Sequence, residues 1–332
     1  MSYLKHIGLL LREISNPPLF IYHVCHYLNR DVPLWLSQYI SKRNSASPTL
    51  HELTVSTIDG SDQVVHPDII KYANGVAMVC TPYPYAMEEY ENPCLYWGKS
   101  IDKLQSVICP FDRQSEHIQG VHMSDPCILN IRDELLCIYR ETIKKDDYIY
   151  MKRMRLAGTE ILYQSDRHLL MESSDYYILS PAALICGEDL LVYYVKYAKP
   201  NQTELILSRF SSNGYHLLES LTMKVENEPS DYYIWHIGIY NADDYGKGVI
   251  NGDRMKGLFL YQHRKKKTNL KLFHAVSAGV ESCKWEIREE VTMPDSKKDS
   301  IWFPYKSCYN PQTMKILLSF RDKKSRNRLI EI

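Results

Sequence analysis

The chain has 332 residues, of which 40 are basic and 40 are acidic, so its formal net charge at pH 7 is zero. A protein that binds nucleic acid mainly through the phosphates needs an excess of basic residues, which this chain lacks. The sequence therefore disfavours nucleic acid as a partner. The nine cysteines lack the C-x-x-C spacing typical of zinc sites. We therefore expect free thiols in a reducing compartment and predict a cytoplasmic protein.

Residues 1–48 are predicted to be a helical extension and a linker. Apolar side chains within residues 7–14 follow helical spacing, and residues 20–28 and 32–40 are similarly helix-like. The polar residues 41–48 are typical of a linker. No secretory signal or membrane span is recognised here. The extension is expected to pack on its own chain; binding a protein partner or lying on a membrane surface are the alternatives.

Residues 49–332 contain a repeat. Short polar clusters followed by apolar strands recur in the segments VHPDII, SDPCIL, LSPAALI, WHIGIY and WFPYKSCY. The repeats start near His66, Asp125, Ser180, His236 and Phe303, which are separated by 59, 55, 56 and 67 residues. A four-stranded propeller blade needs about 40 to 60 residues, so the period predicts an all-β, five-bladed β-propeller.

Each repeat continues with a second strand, as in GVAMVC, ELLCIYR and DLLVYYV, and then with a third. The fifth repeat ends after three strands. Residues 50–58 (LHELTVSTI) are predicted to supply its missing outer strand, which would close the ring and remove free sheet edges. The absence of long helical patterns after residue 50 argues against a TIM barrel.

The innermost strands of a propeller surround its axis, so the polar residues that open the repeats are predicted to meet in one cavity. Because strand residues alternate between faces, His66 and Asp68 are expected on the same side. The candidates are His66, Asp68, Asp125, Ser180, Trp235, His236, Trp302 and Tyr305, joined by Glu91, Arg140 and Arg321.

The aromatic composition favours a sugar ligand. The chain has 26 Tyr and 7 Phe, and tyrosine offers a flat face for a sugar ring and a hydroxyl for hydrogen bonds. Most of these tyrosines are expected simply to cover strands. Trp235 is equally a candidate sugar platform and a candidate core residue. Arg140 and Arg321 are predicted to face a hydroxyl, a carboxylate or a phosphate.

Glycoside cleavage needs a carboxylic acid and a carboxylate on opposite sides of the bond, and Asp68, Glu91 and Asp125 are the carboxylates placed for it. The competing interpretation is that these carboxylates cap turns. His66 and His236 are candidate acids, bases or ligands, but no third ligand stands at metal spacing in the sequence. A structural hydrogen bond is therefore preferred, and neither a metal nor a cofactor is predicted.

The segments HPDII, TPYPY with ENP, SDPCIL, SPAAL and WHI together resemble the five-bladed propeller glycoside hydrolases of the family 43 and family 32 type. The resemblance covers residues from about 50 to 332. It is closer still to uncharacterised propeller proteins encoded among bacterial surface-polysaccharide genes and in phages. It implies a glycan-active protein, glycosidase-like or sugar-transferring, in polysaccharide synthesis or modification.

In that superfamily a blade-one carboxylate acts as base or nucleophile, a blade-two aspartate orients, and a blade-three glutamate is the acid. By position, Asp125 matches the orienting aspartate. The sequence departs from the pattern at His66, where the enzymes have aspartate, and at Ser180, where they have the acid. The resemblance thus implies Asp68 as base, Asp125 as orienting group, and Glu91 or His236 as proton donor. The alternative is a non-catalytic propeller that holds a glycan or docks a partner enzyme.

Overall fold

The computed structural model describes residues 52–57, 59–84, 87–107, 121–199, 201–243, 245, 247, 249–250, 254–293, 303–322 and 326–332. The predicted helical extension lies outside these residues, as do Trp302, Cys25 and Cys109. In the described part of the chain, no helix has the length and hydropathy to cross a membrane, and the seven cysteines found there are free thiols.

Five mainly antiparallel sheets follow one another along the chain, as the repeat predicts, and the third and fourth each include one parallel pair of strands. The first blade consists of β2 (Val64–Tyr72), β3 (Gly75–Pro82), β4 (Cys94–Gly98) and β5 (Gln105–Val107). The second consists of β6 (Val121–Ile131), β7 (Glu134–Ile143), β8 (Asp146–Ala157), β9 (Glu160–Gln164) and β10 (His168–Ser173). The third consists of β11 (Tyr177–Cys186), β12 (Asp189–Lys199), β13 (Gln202–Phe210) and β14 (Leu217–Thr222), with β17 (Val249–Ile250) paired in parallel with β11.

The fourth blade consists of β16 (Tyr232–Asn241), β18 (Met255–His263), β19 (Leu270–Ser277) and β20 (Lys284–Glu290), with β15 (Lys224–Glu226) at its edge, paired in parallel with β20. The fifth consists of β21 (Phe303–Pro304), β22 (Cys308–Tyr309), β23 (Ile316–Arg321), β24 (Asn327–Glu331) and β1 (Glu52–Leu53). The inner strand of this last blade is therefore split into two short pieces, β21 and β22.

The ring closes as the sequence predicts. Strand β1 pairs antiparallel with β24, with Glu52 opposite Ile330 and Leu53 opposite Leu329. An ion pair between Arg328 and Glu52 reinforces the same edge. This pairing joins the early part of the described chain to its last strand, so the fifth blade acquires its outer strand and loses a free edge.

The hydrophobic core lies between neighbouring blades. Ile70 of the first blade and Ile128 of the second belong to one buried cluster, and Leu191 of the third and Phe259 of the fourth belong to another. Inner strands are covered on both faces, which explains their nearly continuous apolar sequences, whereas the outer strand β14 is largely exposed. Face-to-face packing of twisted sheets thus sets the inner strands around a common axis.

Candidate functional site in the axial cavity

The first strands of three blades share a local distortion that positions the site. His66, Asp125 and Ser180 each precede a proline and have positive φ values of 54°, 52° and 53°. The pairing between first and second strands shifts register at each of these points. A β-bulge of this kind re-aims a side chain relative to the regular alternation of a strand. The repeated X-Pro dipeptide is therefore the sequence signature of three equivalent bulges.

A cavity of about 560 Å³ opens where these bulges meet, a volume typical of small-ligand sites. Its polar lining includes His66, Glu88, Glu91, His122, Asp125, Arg140, Lys144, His236, Lys267 and Arg321. Aromatic rings of Tyr83, Tyr177, Tyr197, Trp235, Phe303 and Tyr305 line it as well. The cavity thus combines apolar ring faces with convergent charges.

Two histidines and one aspartate from three different blades meet in this cavity. The Nδ1 atom of His66 lies 3.1 Å from Oδ1 of Asp125, and the Nδ1 atom of His236 lies 3.4 Å from the same oxygen. The two imidazole centroids are 4.6 Å apart. All three residues are at least nine-tenths buried. The structure therefore places together residues that lie 59 and 111 positions apart in the sequence.

Arg140 lies beside this group and is held by a residue that sequence analysis missed. Its Nη2 atom donates a hydrogen bond to Oδ1 of Asp147 at 3.0 Å, and its Nη1 atom is 4.0 Å from Oδ2 of Asp125. Asp147 also accepts hydrogen bonds from the Thr142 hydroxyl and, across to the third blade, from the Ile178 backbone N–H. Asp147 is the second of two adjacent aspartates in a charged hairpin, KKDDY, and this segment gave no sequence signal for its role.

Lys306 is a second group that sequence analysis missed. Its ammonium group donates hydrogen bonds to the backbone carbonyls of Pro126 and Pro181, at 3.1 Å and 2.9 Å, and the residue is buried. It lies between β21 and β22, at the point where the inner strand of the fifth blade is interrupted, and its side chain lies at the axis. The available signal was a lysine inside an otherwise apolar repeat opening, WFPYKSCY.

Burial and charge set the protonation states at the axis. Burial lowers the pKa of His66 to about 4 and that of His236 to about 3, so both imidazoles are neutral near pH 7. Burial alone would raise the pKa of Asp125, but the two histidines when they are protonated, together with the charges of Lys306 and Arg140, hold it well below its usual range. Burial also lowers the pKa of Lys306, against the opposing effect of Asp125. An ionised carboxylate thus faces two neutral imidazoles.

The predicted role of Asp68 does not fit its position. The bulge at His66 and Pro67 interrupts the alternation from which a shared face was expected, and the Asp68 side chain points between blades. Its Oδ2 atom accepts a hydrogen bond from the Ile128 backbone N–H at 2.9 Å and pairs with the Lys247 ammonium at 2.6 Å. Asp68 is fully buried and does not line the cavity. Its contacts make it a structural residue, so we do not retain it as the base.

Ser180 is also held by an inter-blade contact. Its hydroxyl donates to the Ile237 carbonyl at 3.0 Å, and its oxygen accepts the Ile237 backbone N–H at 2.9 Å. Its own backbone N–H donates to Oδ2 of Asp125 at 3.2 Å. Ser180 is fully buried, and it does not line the cavity. Its placement therefore supports a structural function and gives no substitute for the missing acid.

The remaining predicted residues line the cavity wall. Glu91 is buried, with Oε2 3.6 Å from Nε2 of His122. Trp235 is partly buried and meets Tyr197 edge-to-face at 5.7 Å between centroids. Arg321 is buried. The structure thus collects His66, Glu91, Asp125, Arg140, Trp235, His236, Tyr305 and Arg321 around one cavity.

The expectation that no set of metal ligands exists must also be revised. It rested on the lack of a third donor near either histidine in the sequence, and the fold supplies that donor from another blade. His66, Asp125 and His236 each offer one ligand atom, and these three atoms lie within 4.8 Å of one another. Two imidazoles and a carboxylate are a donor set suited to a transition metal.

The fold and the cavity together define a five-bladed β-propeller with a polar axial site. The structure is similar to a mutant levansucrase from B. megaterium, with a TM-score of 0.59 and 9% identity over 89% of this chain and 90% of that chain. It is also similar to a mutant α-L-arabinanase from Cellvibrio cellulosa, with a TM-score of 0.57 and 11% identity over 80% and 90%.

An endo-arabinase from Bacteroides thetaiotaomicron VPI-5482 aligns over 86% of this chain and 98% of its own, with a TM-score of 0.53 and 11% identity. No protein-family model matches the sequence, and no curated protein matches it. The similarity confirms the predicted resemblance at the level of the fold.

Proposed function

We propose that the protein is a glycan-active propeller that binds a saccharide in the axial cavity and acts on it as a glycosidase-like or sugar-transferring enzyme. The observation that carries this proposal is the convergence of Asp125, Arg140, His66 and His236 in a cavity walled by aromatic rings. Sugar rings stack on such faces, and their hydroxyl groups hydrogen-bond to the charged groups. The similarity to arabinanases and a levansucrase supports the same class of ligand.

Within this proposal, Trp235 is the stacking platform and Arg140 binds a polar substituent of the sugar. Glu91 is the proton donor, because it is a buried carboxyl group in the cavity wall. Asp125 orients the imidazoles, and the attacking water or sugar hydroxyl is activated at the end of the cavity that holds His66 and His236. The biological setting we propose is bacterial surface-polysaccharide synthesis or modification, in the cytoplasm.

The second candidate is a non-catalytic propeller that binds a glycan or docks a partner enzyme. Two observations favour it. Asp68 forms an ion pair with Lys247, and Ser180 is found at the position where the resemblance implies an acid. The enzyme and the glycan-binding form of the second candidate share a binding cavity and differ in whether a glycosidic bond is broken, whereas a propeller that docks a partner enzyme needs no glycan.

The test is to measure binding and turnover separately on a panel that includes arabinan, levan and bacterial polysaccharide fragments. Binding is measured by calorimetry, and turnover by the release of reducing ends or the transfer of a labelled sugar. We expect Glu91→Gln to abolish turnover and keep binding. Trp235→Ala should weaken binding at least about tenfold, equivalent to about 1.4 kcal/mol.

Tyr163→Ala is the matched control, because Tyr163 is an exposed aromatic residue on β9, outside the cavity, and it should leave both quantities unchanged. Binding without turnover by the unmodified protein would establish the second candidate. No binding to any glycan, or binding that Trp235→Ala leaves unchanged, would refute the enzyme and the glycan-binding form of the second candidate.

A further inference from the structure

We propose that His66, Asp125 and His236 form a binding site for one divalent transition-metal ion at the axis of the propeller. The ligand atoms are Nδ1 of His66, Oδ1 of Asp125 and Nδ1 of His236. This inference goes beyond the proposed function, since it concerns an ion and is tested without a glycan.

The first argument is that the three atoms are buried and have no hydrogen-bond partner among the described residues. Each nitrogen lies close to the carboxylate oxygen, at 3.1 Å and 3.4 Å, but neither is aligned for a hydrogen bond. Leaving three polar atoms unsatisfied in one spot is costly, because each has given up its hydrogen bonds to water and gained none in return. An ion at their common centre would satisfy all three at once.

The second argument is the spacing of the donor atoms. With metal–ligand bonds of about 2.1 Å, two ligands at angles from 90° to the tetrahedral value lie about 3.0 to 3.4 Å apart. The two nitrogen–oxygen separations fall in this interval, and one ligand atom from each of the three residues lies within 4.8 Å of the other two. Each histidine is therefore already spaced from the carboxylate as in a bound site. For one ion to bind both imidazoles, their two nitrogens need to lie within about 4.2 Å of each other, which is twice the bond length.

The third argument concerns the surroundings of the carboxylate. Oδ2 of Asp125 accepts the Ser180 backbone N–H at 3.2 Å and lies 4.0 Å from Arg140, which leaves Oδ1 directed at the imidazoles. Such contacts from outside the ligand set orient metal ligands and tune their affinity. The charge of Arg140 is itself paired with Asp147 at 3.0 Å, which reduces its repulsion of a cation.

The donor set determines the class of ion. Two imidazole nitrogens and one carboxylate oxygen favour zinc, iron(II) and neighbouring first-row ions, whereas calcium and magnesium prefer oxygen ligands. Three protein ligands leave further coordination positions open. Because His66, Asp125 and His236 all line the cavity, a molecule bound there can reach the ion.

The experiment uses the full-length protein, stripped with a chelator and then titrated with Zn²⁺, Co²⁺ and Ca²⁺ in the absence of sugar. Calorimetry gives stoichiometry and affinity, and the visible spectrum of Co²⁺ reports its ligands. We expect one Zn²⁺ or Co²⁺ per chain, a Co²⁺ spectrum typical of nitrogen and oxygen ligands, and much weaker binding of Ca²⁺.

Asp125→Asn and His236→Gln should each weaken Zn²⁺ binding by more than about 100-fold, since even the loss of an outer contact costs about 10- to 100-fold. His122→Gln is the matched control, because this histidine lines the same cavity but lies outside the ligand set. It should bind Zn²⁺ as the unmodified protein does. Circular dichroism shows whether each variant is folded.

Absence of a one-to-one complex with Zn²⁺ or Co²⁺ in the unmodified protein would overturn the proposal, and so would binding that Asp125→Asn and His236→Gln leave intact. Either result would leave the three side chains as a polar cluster without a resident ion. The glycan proposal would stand or fall separately, on the binding and turnover measurements.

Discussion

The ion pair between Asp68 and Lys247 allows a quantitative test of whether Asp68 is structural or catalytic. Both side chains are fully buried, and Nζ lies 2.6 Å from Oδ2. Burial lowers the pKa of Lys247, but Asp68 more than compensates and raises it, so the ammonium form persists. Asp68→Asn removes the negative charge while keeping an oxygen that can accept the Ile128 N–H. The substitution therefore isolates the loss of the ion pair.

Breaking a buried pair by neutralising one partner costs about 3–5 kcal/mol, because the other charge is left without compensation. A typical domain is stable by only about 5–15 kcal/mol, so this is a large fraction of the total. We expect equilibrium unfolding in urea, followed by circular dichroism, to show a loss of this size in Asp68→Asn. The double variant Asp68→Asn with Lys247→Met removes both charges and should recover most of the lost stability.

The structural assignment makes a clear contrast with a catalytic one. If Asp68→Asn retained the stability of the unmodified protein and abolished turnover of a glycan, Asp68 would be the base that the sequence suggested. An additive double variant, with no recovery from Lys247→Met, would show that the two charges do not depend on each other and would refute the argument from burial.

Two further predictions concern contacts between and within blades. Ser180→Ala leaves the buried Ile237 N–H without its acceptor and should cost about 1–3 kcal/mol; an unchanged urea midpoint would contradict this. Gly75→Ala places a Cβ against the Gly98 carbonyl oxygen of the neighbouring strand and should cost about 3 kcal/mol. Gly187→Ala, at φ 61° with open space around it, should cost only about 1 kcal/mol, and equal losses at the two glycines would show that backbone overlap is not the cause.

Part of the site was visible in the sequence because it follows from the repeat. The polar residues at the start of each blade, His66, Asp125 and His236, were expected to converge, and the structure places them within one cavity. Ser180, at the equivalent position of the third blade, instead faces its neighbour Ile237. A period identifies equivalent positions, but it does not say which side chain of each opening segment faces the axis.

The error over Asp68 has a local cause in the backbone. Strict alternation predicts a shared face for His66 and Asp68, but each X-Pro bulge adds one residue to the first strand and so reverses the facing of the side chains after it. Asp68 lies two residues after the bulged His66 and accepts a backbone N–H from the next blade. Cys127, two residues after Asp125, makes the equivalent contact in the next repeat, where it accepts the Ala183 backbone N–H at 3.2 Å. An aspartate and a cysteine at one structural position share no sequence signal.

The sequence by itself determined the class of fold, the number of blades and the closure of the ring. These features arise from local strand patterns repeated at a blade-sized period, and from an outer strand missing at the end of the chain. Only the tertiary structure decided which charges pair across blades. Lys247 reaches Asp68 and Lys306 reaches Pro126 over 179 and 180 residues, and such partners are chosen by the packing of blades around the axis, which no local pattern encodes.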